Sequence, residues 1–125
     1  MATILVVEDN RPNMTLAVLL LEKAGHTVLG ATDAETGLAL AREARPDLIL
    51  MDIQLPGMDG LEATKLLKRD EATCTIPVIA LTALAMRGDE ERISAAGCDG
   101  YITKPMRYRE LLPIRLKTLL SKKRS

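Results

Sequence analysis

Polar side chains that could take part in catalysis or metal binding follow four of the five short apolar runs in this sequence. Glu8 and Asp9 come after the first run, and Asp52 comes after the third. Thr82 follows the fourth run, and Lys104 lies just beyond the fifth. If these runs are parallel strands of one sheet, the three carboxylates, the hydroxyl and the ammonium gather at its carboxyl edge, where such sheets bind ligands.

Three clustered carboxylates are costly unless positive charge lies among them. Lys104 supplies one positive charge, and Mg²⁺ would supply two more, because this cation prefers carboxylate oxygens and retains several waters. Such a metal suits an incoming phosphoryl group, whose other oxygens Thr82 and Lys104 could hold. Asp52, the central carboxylate, is then a candidate nucleophile that would become an aspartyl phosphate.

Each of these residues also has a purely structural interpretation. A carboxylate after a strand usually caps a helix or lies in water, and Asp9 is well placed to cap the first helix. Taken alone, Lys104 would be a surface charge and Thr82 a turn or cap residue. The interpretation as a site depends on the agreement of four strand ends.

The elements that would position these side chains alternate along the chain. Five apolar runs predict buried strands, because each is short, aliphatic or β-branched and bounded by polar residues. They span residues 4–7, 27–29, 48–51, 78–81 and 101–102. Amphipathic patterns predict helices over residues 12–24, from a capping box at 32–35 to Ala44, and over 59–69, 86–96 and 111–120.

Repeated alternation of strand and helix predicts an α/β fold with a parallel sheet. Because strand–helix–strand crossovers are right-handed, helices should cover both faces of that sheet. Pro113 lies inside the last helical pattern, where we expect a kink or a late helix start.

Composition excludes several classes of function. A length of 125 residues indicates one domain, and 47% hydrophobic with 27% charged residues is typical of a globular protein. The 17 Lys and Arg are balanced by 17 Asp and Glu, which argues against direct nucleic-acid binding. Two Tyr are the only aromatic residues, so a platform for base stacking is absent.

The sequence also argues against a zinc site, a membrane span and an N-terminal leader. Cys74 and Cys98 form no CxxC motif, and with His26 as the single histidine we expect reduced thiols and no zinc site. The apolar run 16–21 is far shorter than the ~20 residues of a membrane span. The N-terminus carries no leader pattern, so we expect a cytoplasmic protein.

Four segments resemble the receiver domain of bacterial two-component response regulators, namely residues 7–10, 47–60, 79–83 and 101–105. They occur in order, at strand ends, and the resemblance covers essentially the whole chain. Residues 83–92, with Gly97 and Cys98, are similar to single-domain regulators of the DivK type and to receivers attached to hybrid kinases. The resemblance implies a flavodoxin-like, CheY-like fold with five helices and a doubly wound parallel sheet of strand order 2-1-3-4-5.

The resemblance also implies roles for the acidic residues. Asp52 matches the phosphoacceptor. Asp9 and Asp52 match Mg²⁺ ligands, Glu8 would bind the ion through water, and the backbone carbonyl of Gln54 would be a further ligand. Glu8 stands where chemotaxis-type receivers carry Asp, an exchange that preserves charge.

The remaining implied roles concern residues that bind the phosphoryl oxygens and a residue that changes conformation after phosphorylation. Thr82 matches the hydroxyl that moves to the phosphoryl group, and Lys104 matches the lysine that pairs with it. A cis peptide bond would precede Pro105. Tyr101 matches an aromatic switch that turns inward when Thr82 moves; its structural alternative is a half-exposed strand residue with its hydroxyl in water.

Together these roles predict a phosphorylation switch that is catalytic only on itself. A histidine kinase or histidine phosphotransfer protein would donate to Asp52, and the face of the fourth helix, fifth strand and last helix would change for a downstream protein. We expect residues 1–125 to form one receiver domain, and the initial Met favours a natural start. The alternative is a receiver cut from a hybrid histidine kinase or multidomain regulator.

Three rival functions come from other classes. A Mg²⁺-dependent phosphatase with an aspartyl nucleophile needs an acid two residues later, where Gln54 is a poor one. A flavin-binding electron carrier needs a loop rich in Ser, Thr and Gly after the first strand, where Glu8 and Asp9 would repel the flavin phosphate. An adaptor that ignores phosphorylation requires the acidic cluster to be inert.

Overall fold

Five β-strands alternate with four α-helices in the computed structural model, which describes residues 2–82 and 87–103. The strands are β1 Thr3–Val7, β2 Thr27–Ala31, β3 Leu48–Asp52, β4 Val78–Thr82 and β5 Gly100–Thr103. The helices are α1 Arg11–Lys23, α2 Ala34–Ala44, α3 Gly60–Arg69 and α4 Arg87–Ala95. The fifth predicted helix, with Pro113, lies outside the described residues.

All strand pairs are parallel, and the strand order is β2-β1-β3-β4-β5. This order confirms the predicted doubly wound sheet. It places β1, β3 and β4 beside one another in the interior of the sheet, so their carboxyl ends meet at one edge.

Every strand is longer than the apolar run that predicted it. Asp52 and Thr82 were expected just after their strands, but each is the last residue of its strand, and they pair with Leu81 and Thr103. The ladder is held by main-chain hydrogen bonds, which form with any side chain except Pro. Hydropathy therefore underestimated strand length where polar residues continue the ladder.

Three helices begin at a side-chain cap. Asn10, Asp33 and Asp59 each accept a hydrogen bond from the backbone N–H three residues later, at 3.0, 2.7 and 2.8 Å. The capping box that starts at Thr32 was therefore misplaced by one residue, because Asp33 is the cap of α2. The carboxylate of Asp33 also suits the positive end of the helix dipole.

Alternate residues of the strands face two different helix layers. Ile4, Val6, Leu50 and their neighbours pack on one face with residues of α1, whereas Leu5, Val7, Ile49 and their neighbours pack on the other face with α2 and α3. The core is aliphatic, as the composition predicts, and each fully buried Leu or Ile contributes about 1.5–3 kcal/mol. Among the described helices, none has the length and apolar character needed to cross a membrane.

Candidate functional site

The carboxylates of Glu8, Asp9 and Asp52 meet at the carboxyl edge of the sheet. Strands β1 and β3 are neighbours, and Val7 lies opposite Met51. Glu8 and Asp52, which follow these two residues, therefore lie side by side. One oxygen from each of the three acids lies within 4.8 Å of the others. The structure therefore brings together the acids that strand-end spacing singled out.

Two of these three acids are withdrawn from water. Glu8 is 1% exposed and Asp52 is 2% exposed, whereas Asp9 is exposed. The backbone N–H of Asn10 donates to Oε2 of Glu8 at 3.2 Å, and that of Gln54 donates to Oδ1 of Asp52 at 2.9 Å. These bonds orient the carboxylates, but burial of clustered negative charge still requires positive charge nearby.

The cap of α1 is Asn10, and this excludes Asp9 from that structural role. Asn10 caps α1 through its Oδ1, and its own backbone N–H binds Glu8. The structural interpretation of Asp9 as the cap of the first helix is therefore wrong. Asp9 instead places an exposed carboxylate beside the buried pair, where it can contact both the buried acids and solvent.

The turn after β3 holds Asp52 in place. The N–H of Ile53 donates to the carbonyl of Leu81 at 3.1 Å, so the ladder between β3 and β4 continues past Asp52. The N–H of Gly60, the first residue of α3, donates to the carbonyl of Ile53 at 3.3 Å. Asp52 is thus fixed between a continuing strand ladder and the start of a helix.

Thr82 lies at the same sheet edge as Asp52. Asp52 pairs with Leu81 across the ladder, so Thr82 is one position further towards the carboxyl edge, and it is 2% exposed. Lys104 and Pro105 fall outside the described residues, and their positions stay predictions.

The acidic cluster has the ligand chemistry of a site for a hard divalent cation. Three carboxylate oxygens within 4.8 Å of one another are the donors that Mg²⁺ prefers, and the exposure of Asp9 leaves room for the waters that this ion retains. No thiolate or imidazole belongs to this cluster, so its donors do not match those of a structural zinc site.

Tyr101 connects β5 to α4 through its hydroxyl. The hydroxyl donates to Oε1 of Glu90 at 2.6 Å. The alternative expectation placed this hydroxyl in water, but a carboxylate accepts its hydrogen bond. Sequence reasoning missed Glu90, because the two residues lie on different elements and no local pattern links them.

Comparison with known protein families shows the family to which this chain belongs. Residues 4–114 match the response regulator receiver domain. The chain belongs to the response regulator receiver family. This receiver domain is 54% identical over 104 residues to the polar-differentiation response regulator DivK of Brucella anthropi, an alignment that covers 83% of this chain and 85% of the relative. The DivK regulator of Brucella ovis matches at the same identity and coverage.

Solved receiver structures share the fold of this receiver domain. The receiver domain of a sensor histidine kinase from Pseudomonas aeruginosa PAO1, with magnesium coordinated in its active-site cleft, has a TM-score of 0.87 at 38% identity and covers 96% of this chain and 98% of its own. The signal receiver domain of a histidine kinase from Syntrophus aciditrophicus has a TM-score of 0.88 at 34% identity, covering 98% and 92%. Chemotaxis protein CheY4 of Vibrio cholerae has a TM-score of 0.86 at 29% identity, covering 94% and 98%.

These matches confirm the resemblance to receivers and to DivK-type regulators. The protein is a receiver domain of the two-component type, and its role in a phosphorelay follows from the family. Family membership favours signalling over the flavin carrier and the aspartyl phosphatase that the sequence left open.

Proposed function

We propose that this receiver domain accepts a phosphoryl group on Asp52 from a histidine kinase or a histidine phosphotransfer protein. The observation that carries the proposal is the buried carboxylate of Asp52, which has an oxygen within 4.8 Å of oxygens of both Glu8 and Asp9. Buried clustered acids are stabilised when a cation joins them, and a carboxylate is a competent nucleophile towards phosphorus.

The transfer exchanges one bond to phosphorus for another. An oxygen of the Asp52 carboxylate attacks phosphorus in line, a P–O bond forms, and the P–N bond of phosphohistidine breaks. The histidine nitrogen takes the electron pair of the broken bond and then a proton from solvent. Later attack by water releases inorganic phosphate and restores the carboxylate, so the chain acts catalytically only on itself.

We assign the metal to the same cluster. Asp9 and Asp52 would bind Mg²⁺ directly, Glu8 would bind it through water, and the backbone carbonyl of Gln54 would be a further ligand. When bound, the ion supplies positive charge that neutralises the acids and the phosphoryl oxygens. The N–H of Gln54, 2.9 Å from Oδ1 of Asp52, limits the rotation of the carboxylate that must attack.

Thr82 and Lys104 would hold the remaining phosphoryl oxygens, as donors placed at the strand ends. Movement of Thr82 would allow Tyr101 to turn, and the face built from α4, β5 and the last predicted helix would change for a downstream protein. We propose that residues 1–125 act as one receiver domain in the cytoplasm, without direct contact with nucleic acid or membrane. A receiver within a hybrid kinase or multidomain regulator is the alternative.

Intact-mass measurement with acetyl phosphate and Mg²⁺ tests this function. The wild-type chain should gain the mass of one phosphoryl group, and chelation of the metal should prevent it. Asp52→Asn should abolish the adduct, whereas Asp33→Asn, which removes a carboxylate but keeps the cap of α2, should not. An adduct that survives Asp52→Asn, or its absence in the wild type, contradicts the proposal; hydrolysis of many chemically different phosphate esters would indicate the phosphatase instead.

A further inference from the structure

The hydrogen bond between Tyr101 and Glu90 is the starting observation. Its O···O distance is 2.6 Å, which is typical of a hydroxyl that donates to an ionised carboxylate. Tyr101 is half-buried in β5, whereas Glu90 is exposed on α4. The bond therefore joins a partly buried ring to a helix at the protein surface.

Tyr101 also packs against the same buried cluster as Ile53, the residue that follows Asp52. This cluster consists of Leu61, Ala80, Ile93 and Ala96. Ile53 directly follows Asp52, and its backbone is held by the β3–β4 ladder. Because cores are close-packed, a shift of the chain at Asp52 that moves Ile53 alters the surface available to the Tyr101 ring.

We propose that Glu90 is a positioning residue that holds Tyr101 in its resting orientation and opposes the conformational change driven by phosphorylation of Asp52. This role rests on the proposed function, because it needs a second conformation that the phosphoryl group favours. A bond made in only one of two conformations biases the equilibrium towards that one. By linkage, the same bond weakens the binding of a phosphoryl mimic at Asp52 by the same factor.

Calorimetric titration with beryllofluoride, a mimic of the phosphoryl group on a carboxylate, in the presence of Mg²⁺ measures this bias. Glu90→Ala should lower the half-saturating beryllofluoride concentration about fivefold, in line with the loss of one hydrogen bond that is exposed to water. Glu90→Gln, which keeps a neutral acceptor of the same shape, should give a smaller decrease. Glu91→Ala, at an exposed position on the same helix, should leave the titration unchanged.

A spectroscopic measurement follows Tyr101 directly. The chain has two Tyr, so 3-fluorotyrosine in a Tyr108→Phe background gives one fluorine resonance, that of Tyr101. In Glu90→Ala without ligand, this resonance should move towards its position in the beryllofluoride complex. An unchanged resonance together with an unchanged titration overturns the role of Glu90.

A double-mutant cycle separates positioning from a general effect on α4. In a Tyr101→Phe background, Glu90→Ala should produce no further change in the titration, because the bond is already absent. Additive effects, or weaker beryllofluoride binding in Glu90→Ala, overturn the proposal. If the wild type does not bind beryllofluoride, the proposed function fails and this inference with it; if Asp52→Asn alone abolishes binding and Glu90→Ala matches wild type, only the role of Glu90 fails.

Discussion

The main chain of Asp52 lies directly against Gly60, the first residue of α3. A Cβ added to Gly60 would overlap the carbonyl oxygen of Asp52 and lie 2.9 Å from the Cα of Ile53. Only a residue without a side chain allows the helix to begin at this distance from the strand end. Gly60 therefore sets the spacing between α3 and the proposed phosphoacceptor.

Gly60→Ala should destabilise the fold and weaken the metal site together. The new methyl group meets main-chain atoms that cannot rotate away, so we expect a loss of about 2 kcal/mol in the free energy of unfolding and lower Mg²⁺ affinity. Urea unfolding and Mg²⁺ titration measure the two effects. Gly30→Ala is the matched control, because its Cβ would meet only the Met14 side chain, at 3.5 Å. Equal behaviour of the two variants would contradict this relationship.

Mg²⁺ should raise the melting temperature of the wild type, because a ligand that binds only the folded chain stabilises it. Asp9→Asn should reduce this increase, since it removes one proposed ligand while Asn10 keeps the cap of α1. Without Mg²⁺ the same variant should melt at or above the wild-type temperature, because repulsion among the clustered acids is relieved. Thermal unfolding with and without millimolar Mg²⁺ measures both effects. A metal-independent melting temperature in the wild type would count against the cation site.

Stability should fall in mild acid because of His26. Burial lowers the pKa of His26 below its ordinary value of 6.5, and the charge of Asp47 opposes this shift only in part. Nδ1 of His26 accepts the backbone N–H of Ala2 at 3.2 Å, which requires that this nitrogen carry no proton. The unfolded chain therefore binds a proton more readily than the folded one, so stability is full above the unfolded pKa and is lost as pH falls through the lowered pKa.

Urea unfolding from about pH 7.5 down to about pH 5.5 measures this dependence. His26→Gln, which does not titrate, should show a flatter dependence on pH than the wild type. Identical slopes for the two chains would assign the acid sensitivity to other groups.

Lys68 should contribute more to stability than an exposed ion pair does. Its Nζ donates to the carbonyl of Ile76 at 2.9 Å and to Oδ2 of Asp99 at 3.1 Å, so it joins α3 to the segments that lead into β4 and β5. We expect Lys68→Met to cost about 1–2 kcal/mol in the free energy of unfolding. Arg42→Met removes a cation that is 61% exposed, against 23% for Lys68, and should change this free energy by less than about 0.5 kcal/mol. The prediction is wrong if urea unfolding finds the larger loss in Arg42→Met.

The sequence by itself determined the fold class and the acids at the sheet edge. Short apolar runs bounded by polar residues identified all five strands, because burial on both faces of a parallel sheet selects continuous aliphatic segments. Glu8, Asp9 and Asp52 could then be placed together, since parallel strands end at the same edge. Resemblance of motifs added the strand order and the receiver family, both of which the comparisons and the fold confirm.

Tertiary structure alone decided the contacts between elements. Hydropathy reports whether a residue is buried but not which partner it meets, so it could not reveal that Glu90 accepts the hydroxyl of Tyr101 or that Gly60 lies against Asp52. It also could not choose between adjacent caps, because Asp9 and Asn10 are both good capping residues and only backbone geometry selects one. These details require chain segments that are distant in sequence to meet, which happens only when the helices pack on the sheet.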